Sequence, residues 1–107
     1  MSEYHPDRWV VLEFKRGAIT TRKLFAGWYG GYTGSDSWKL NSGITNIRIE
    51  GDVYEFDGYS GSTYTCHKNT HGMSSYQCQV LARWMKEIEK TPEYQIKEID
   101  LEDIVAV

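Results

Sequence analysis

Cys66, His67, His71 and Cys78 form the one group in this chain whose residue types and closeness in sequence suggest metal or thiol chemistry. Zinc takes about four such ligands in a tetrahedron. The spacing here, Cys-His-x3-His-x6-Cys, contains no Cys-x2-Cys pair and fits no common zinc pattern. Neighbouring Cys66 and His67 fall on a predicted strand, so their side chains leave opposite faces. Cys78 falls on an apolar helical stripe, where a reduced thiol serves as a small apolar side chain. A Cys66–Cys78 disulfide requires an oxidising compartment and side chains that meet. Nucleophilic thiol chemistry requires a thiolate beside a base in a cleft, and adjacent Cys66 and His67 do not supply that geometry. Gly58-Tyr-Ser-Gly-Ser62 lacks the second glycine of a nucleophile elbow. The glycines at 27, 30, 31 and 34 lack the Lys-Ser/Thr that completes a phosphate loop. The expectation is a non-enzyme with no metal and no cofactor.

The remaining chemistry lies in rings. Trp28, Tyr29, Tyr32 and Trp38 stand among Gly, Ser, Thr and Asp, and Tyr59 stands between Gly and Ser. Tyr and Trp with small polar residues are the composition of antibody-like binding loops, because rings give contact area at low entropic cost. Arg joins aromatics in interface hot spots, and Arg16, Arg22 and Lys23 form the densest basic group. The candidate partner-binding residues are therefore Tyr29, Tyr32, Trp38, Tyr59, Arg22 and Lys23. Against them stands the bland alternative that the rings fold back onto the core, with Trp28 the foremost core candidate and Tyr32 and Tyr59 the foremost exposed ones.

Composition supports the need for rings in the core. Of 107 residues, only 22 are Leu, Ile, Val or Phe, yet 15 are Trp, Tyr or Phe. The net charge of −3 is too small for a disordered, self-repelling chain. Residues 1–50 carry +2 and residues 51–107 carry −5, with Glu93, Glu98, Asp100, Glu102 and Asp103 forming an acidic end. No window is long and apolar enough to span a bilayer. No signal-peptide pattern is visible, and two cysteines make no disulfide framework. The expected setting is cytoplasmic, with no membrane partner.

The elements that must position these residues read as follows. Residues 8–15 and 19–28 form two strands joined near Arg16-Gly17, with Phe14 expected opposite Ile19. Residues 27–37 form a glycine-rich loop, and 38–40 begin another strand. Ile44 to Glu50 and Val53 to Gly58 flank Gly51-Asp52, a pair that suits a type II′ hairpin turn. Pairing Glu50 with Val53 puts Ile49 opposite Tyr54, Arg48 opposite Glu55 and Ile47 opposite Phe56. One face is then apolar and the other carries an ion pair, and a one-residue slip destroys both. Residues 63–67 form a short strand. Ser74-x-x-Gln77 is a capping box. Cys78, Leu81, Trp84, Met85 and Ile88 then mark one helical face, and Pro92 stops the helix. Residues 94–99 read as a last strand. A helical turn starting at Asp100 with Asp103 is the alternative to that strand, and residues 101–107 stay unassigned.

The sum is an α+β fold in a single domain, residues 1–107. Five or six strands form an antiparallel meander sheet with one amphipathic helix, about 74–90, packed on one face. The function expected is a small protein-binding module, such as an adaptor, an immunity-type protein or a mobile-element inhibitor. One alternative is a single-stranded nucleic-acid binder on an aromatic sheet surface, which the acidic pI of about 5.6 argues against. The other is a small-ligand or carbohydrate binder.

Overall fold

The computed structural model describes residues 2–31 and 34–104. The chain is α+β, as expected, but its strands make two four-stranded sheets in place of one meander. The first sheet orders β1 (Glu3–Tyr4), β7 (Thr63–His67), β6 (Val53–Gly58) and β5 (Ile44–Glu50) side by side. The second orders β4 (Ser37–Leu40), β3 (Ile19–Trp28), β2 (Arg8–Arg16) and β8 (Tyr94–Ile99). Helix α1 (Ser75–Ile88) lies on the outer face of the second sheet. The β1–β7 pair is parallel, with Glu3 opposite Thr63, so the first sheet is not a pure meander.

The split follows from apolar runs in β2 and β3. Trp9-Val-Val-Leu12 and Leu24-Phe-Ala26 do not alternate with polar residues, and all seven are buried. Such a run marks a strand covered on both faces. Trp9, Val11, Leu24 and Ala26 pack against Phe56, Tyr64 and Cys66 of the first sheet. Val10, Leu12 and Phe25 pack against Val80 of the helix. A single sheet with one helix has a cover for only one of those faces. The second sheet is thus the middle layer of three.

The chain crosses between sheets at Asn41. Its backbone N–H donates to the Leu24 carbonyl at 3.0 Å, and its Oδ1 accepts from the Leu24 N–H at 2.8 Å. The same oxygen accepts from Gly43 N–H at 3.3 Å. A buried side chain thereby continues the β3–β4 ladder for one residue while the backbone leaves it.

The hairpin of β5 and β6 has the expected register, with Glu50 opposite Val53 through Ile47 opposite Phe56. Gly51 has φ of +59° and no described non-glycine residue, Asp52 included, has positive φ, which is the glycine-first turn. The β2–β3 hairpin differs from expectation. Its two-residue turn is Gly17-Ala18, with Gly17 at φ +58°, so Arg16 faces Ile19 and Phe14 faces Thr21.

The capping box is present in both directions. Gln77 N–H donates to Ser74 Oγ at 3.2 Å and Ser74 N–H donates to Gln77 Oε1 at 3.0 Å. The buried stripe is rotated from the expected one. Gln77 and Val80 are buried, and Leu81 and Trp84 pack beside them as expected, whereas Cys78 and Met85 are exposed. Gln77 tolerates the interior because its Nε2 also donates to the Phe25 carbonyl at 3.2 Å. Gly27 leaves the space that this amide fills, since a Cβ there would collide with it. After β8, Leu101–Asp103 make a 3-10 turn in the stretch to which the sequence assigns no element.

Candidate functional site

The sequence-derived candidates are dispersed. Tyr59 is 75% exposed and lies against Gly43, close to Thr21 of β3. Tyr29 is 55% exposed and sits beyond the far end of that strand, its N–H donating to Asp7 Oδ2 at 2.9 Å. Eight residues of extended chain from Thr21 span roughly 26 Å at about 3.3 Å each, so the two rings do not share a patch. Trp38 is 37% exposed and meets Phe25 and Trp84 edge-on, with ring centroids 5.8 and 5.1 Å apart. Tyr32 lies outside the described residues. Trp28 is partly buried and donates its indole N–H to the His5 carbonyl at 3.0 Å.

The two basic candidates take different parts. Arg22 faces the space between the sheets, donates to Glu13 at 3.3 Å and reaches the Asp103 and Ile104 carbonyls at 3.2 and 3.4 Å. It ties the C-terminal turn to β3. Lys23 faces the helix side, where its ammonium lies 5.7 Å from the Phe14 ring centre.

Lys23 opens onto a groove on the helix side of the second sheet. This groove of about 530 Å³ lies between the C-terminal half of α1 and the ends of β2, β3 and β8. Phe14, Ile19, Leu40 and Ile96 floor it, and Trp84 and Ile88 wall it. A second cleft of about 470 Å³ shares Ile88, Tyr94, Gln95 and Ile96 and continues past Met85 and Pro92. The cause is geometric. Gln77 and Val80 bring the first half of the helix onto Phe25 and Gly27. The β2–β3 hairpin runs on past the helix as far as Gly17. The apolar face of the sheet therefore outlasts its cover, and Ile19 is 68% exposed at the mouth.

The groove is rimmed by Arg16 and Lys23, with Glu87 on the helix side. The Arg16 guanidinium lies 5.2 Å from the centre of the Tyr94 ring. Glu87 faces Lys90 at 3.9 Å. None of Lys15, Arg16 or Lys23 forms an ion pair with another described residue, whereas Arg22 and Arg48 both do. Sequence reading missed Phe14, Arg16, Ile19, Trp84, Ile88, Tyr94 and Ile96 as site residues. The legible signal was Ile19, an apolar residue beside a turn glycine. Its exposure depends on where the helix ends, which periodicity does not encode.

The titratable groups elsewhere fit structural roles. Burial pushes the Cys66 thiol well above the usual cysteine range and raises the Tyr64 phenol to about 12. Burial also lowers His71, whose ring meets the edge of Trp9 at 4.8 Å. Hydrogen bonds from Arg48 and then Thr63 hold Asp57 down to about 2. Cys66 and Cys78 are unpaired, one buried and one exposed. Among the described residues no three His, Cys, Asp or Glu side chains gather as a metal site. Among them also, no helix is long and apolar enough to cross a membrane. The chain matches no family model, no curated protein and no solved structure.

Proposed function

We propose that this chain is a small protein-binding module, an adaptor or inhibitor, and that the groove beside α1 is its binding surface. The observation that carries the reading is the uncovered apolar floor from Phe14 to Ile96, open along one side and walled by Trp84 and Ile88. Apolar and aromatic lining with a few polar groups at the rim is the anatomy of a recognition surface. Trp84 and Tyr94 supply the ring anchors sought in the glycine-rich loops, and they converge where Tyr29 and Tyr59 do not.

Single-stranded nucleic acid needs a stacking platform along a basic track. The outward residues of the first sheet include Arg48, Glu55, Asp57 and Thr65, which offer no ring. Both faces of the second sheet are covered over most of their length. These features favour protein as the partner.

The test uses the double variant Ile19→Ser/Ile88→Ser. Proteins captured from the native host by the intact chain should be lost on this variant while circular dichroism and thermal unfolding show it folded. Ile19→Ser alone, at a largely exposed position, guards against unfolding and should weaken capture. Undiminished capture by both variants would move the surface elsewhere, with the separate Tyr29 and Tyr59 sites next in line.

A further inference from the structure

The charge around the groove runs against the charge of the molecule. The whole chain is −3, yet the groove side carries two cations, Arg16 and Lys23, against one carboxylate, and that carboxylate already has Lys90 beside it. Arg22 and Arg48 show what the chain does with cations it uses internally, giving each a carboxylate of its own at 3.3 Å or closer. Arg16 and Lys23 have none among the described residues. They are held instead over the Tyr94 and Phe14 rings, at 5.2 and 5.7 Å from the ring centres. A guanidinium stacked on a ring keeps its N–H edge free, and that edge matches a carboxylate in two parallel hydrogen bonds. The stack also fixes a side chain that would otherwise lose rotamer freedom on binding.

Shape narrows the occupant further. A small ligand buries about 70–90% of its surface in its pocket, but this groove is open along one side and runs on into the cleft at Pro92. A peptide segment can lie in such a trough with one side still in water. Resting on the protein-binding reading above, we propose that the groove receives a partner segment in which apolar residues are flanked by Asp or Glu. The apolar residues sit between Trp84, Ile88 and Ile96, and the carboxylates pair with Arg16 and Lys23. Glu87 on the helix wall repels carboxylates there and so directs them to the strand side.

A phage library of random 12-residue peptides panned on the intact chain tests this. Enriched peptides should combine Leu, Ile, Phe or Trp with Asp or Glu. A synthetic enriched peptide, followed by fluorescence anisotropy, should weaken by about tenfold or more on Arg16→Glu/Lys23→Glu. It should also weaken between 50 and 500 mM salt, by the screening of exposed charges. Its counterpart with Lys for every Asp and Glu should bind the reversed variant better than the natural chain. Neutral or basic enriched peptides that depend on Ile19 and Ile88 would overturn the acidic partner while leaving a protein-binding groove. Peptides indifferent to both the charge and the isoleucine substitutions would overturn both readings. An empty selection overturns the proposal. So does self-association in sedimentation that is abolished by Ile19→Ser/Ile88→Ser, or pelleting with phosphatidylserine vesicles, since either names a different occupant.

Discussion

Gln77 shows how much one residue can decide. Its amide closes the capping box, holds the Phe25 carbonyl and fills the space over Gly27. Gln77→Leu keeps the volume but leaves the buried Ser74 N–H without its acceptor, at about 1–3 kcal/mol, and removes one donor from the Phe25 carbonyl. The midpoint of urea unfolding should fall accordingly. Gly27→Ala should cost about 1–3 kcal/mol by overpacking. With Gln77→Ala in the same chain the cost of Gly27→Ala should shrink, because the two substitutions share one space. Additive losses would contradict that shared space. Asp57 gives a pH prediction. Its carboxyl is held down to about 2 in the fold, against about 3.9 in an unfolded chain. A lowered folded-state pKa stabilises fully above about pH 4, and the contribution drains away as pH falls towards 2. The Arg48–Asp57 pair lies at the surface, so solvent screening keeps the effect small. Unfolding of the natural chain and Asp57→Asn, compared from pH 6 to pH 2, should differ at pH 6 and converge at pH 2.

At the scale of elements, local chemistry and long-range packing separate cleanly. The β5–β6 hairpin was legible because glycine at the first turn position and alternation on both sides agree on one register. The start of α1 was legible because Ser74 and Gln77 satisfy each other's backbone donors within four residues. Ser74→Ala should therefore cost about 1 kcal/mol, read as a lower thermal midpoint with unchanged helix content at low temperature. The rotation of the helix stripe was not legible. Hydropathy places Cys78 inside and Gln77 outside, and only the Phe25 carbonyl waiting across the interface reverses them. The β2–β3 register was off for a related reason. Residues 16–19 permit more than one turn, and pairing along nine residue pairs of β2 and β3 chose Gly17-Ala18.

At the scale of the molecule, three layers set which groups water reaches. Cys66 lies between the sheets and Cys78 on the outside of the helix. A thiol reagent such as dithionitrobenzoate should titrate one cysteine in the native chain and both in denaturant. Two native thiols would mean that the sheets part readily. The sequence alone determined the strand segments other than β1, the helix and its cap, the register of the β5–β6 hairpin and the shortage of aliphatic residues that draws rings into the core. Each of these rests on interactions within a few residues or on counts. The tertiary structure alone decided that the strands form two sheets, that Tyr29 and Tyr59 stand apart, and that Arg22 is spent inside while Arg16 and Lys23 face an open groove. Those outcomes depend on which apolar face covers which, and on where the helix stops short of the hairpin beneath it. The apolar runs of β2 and β3 mark strands covered on both faces, but what covers each face is a property of the assembled layers.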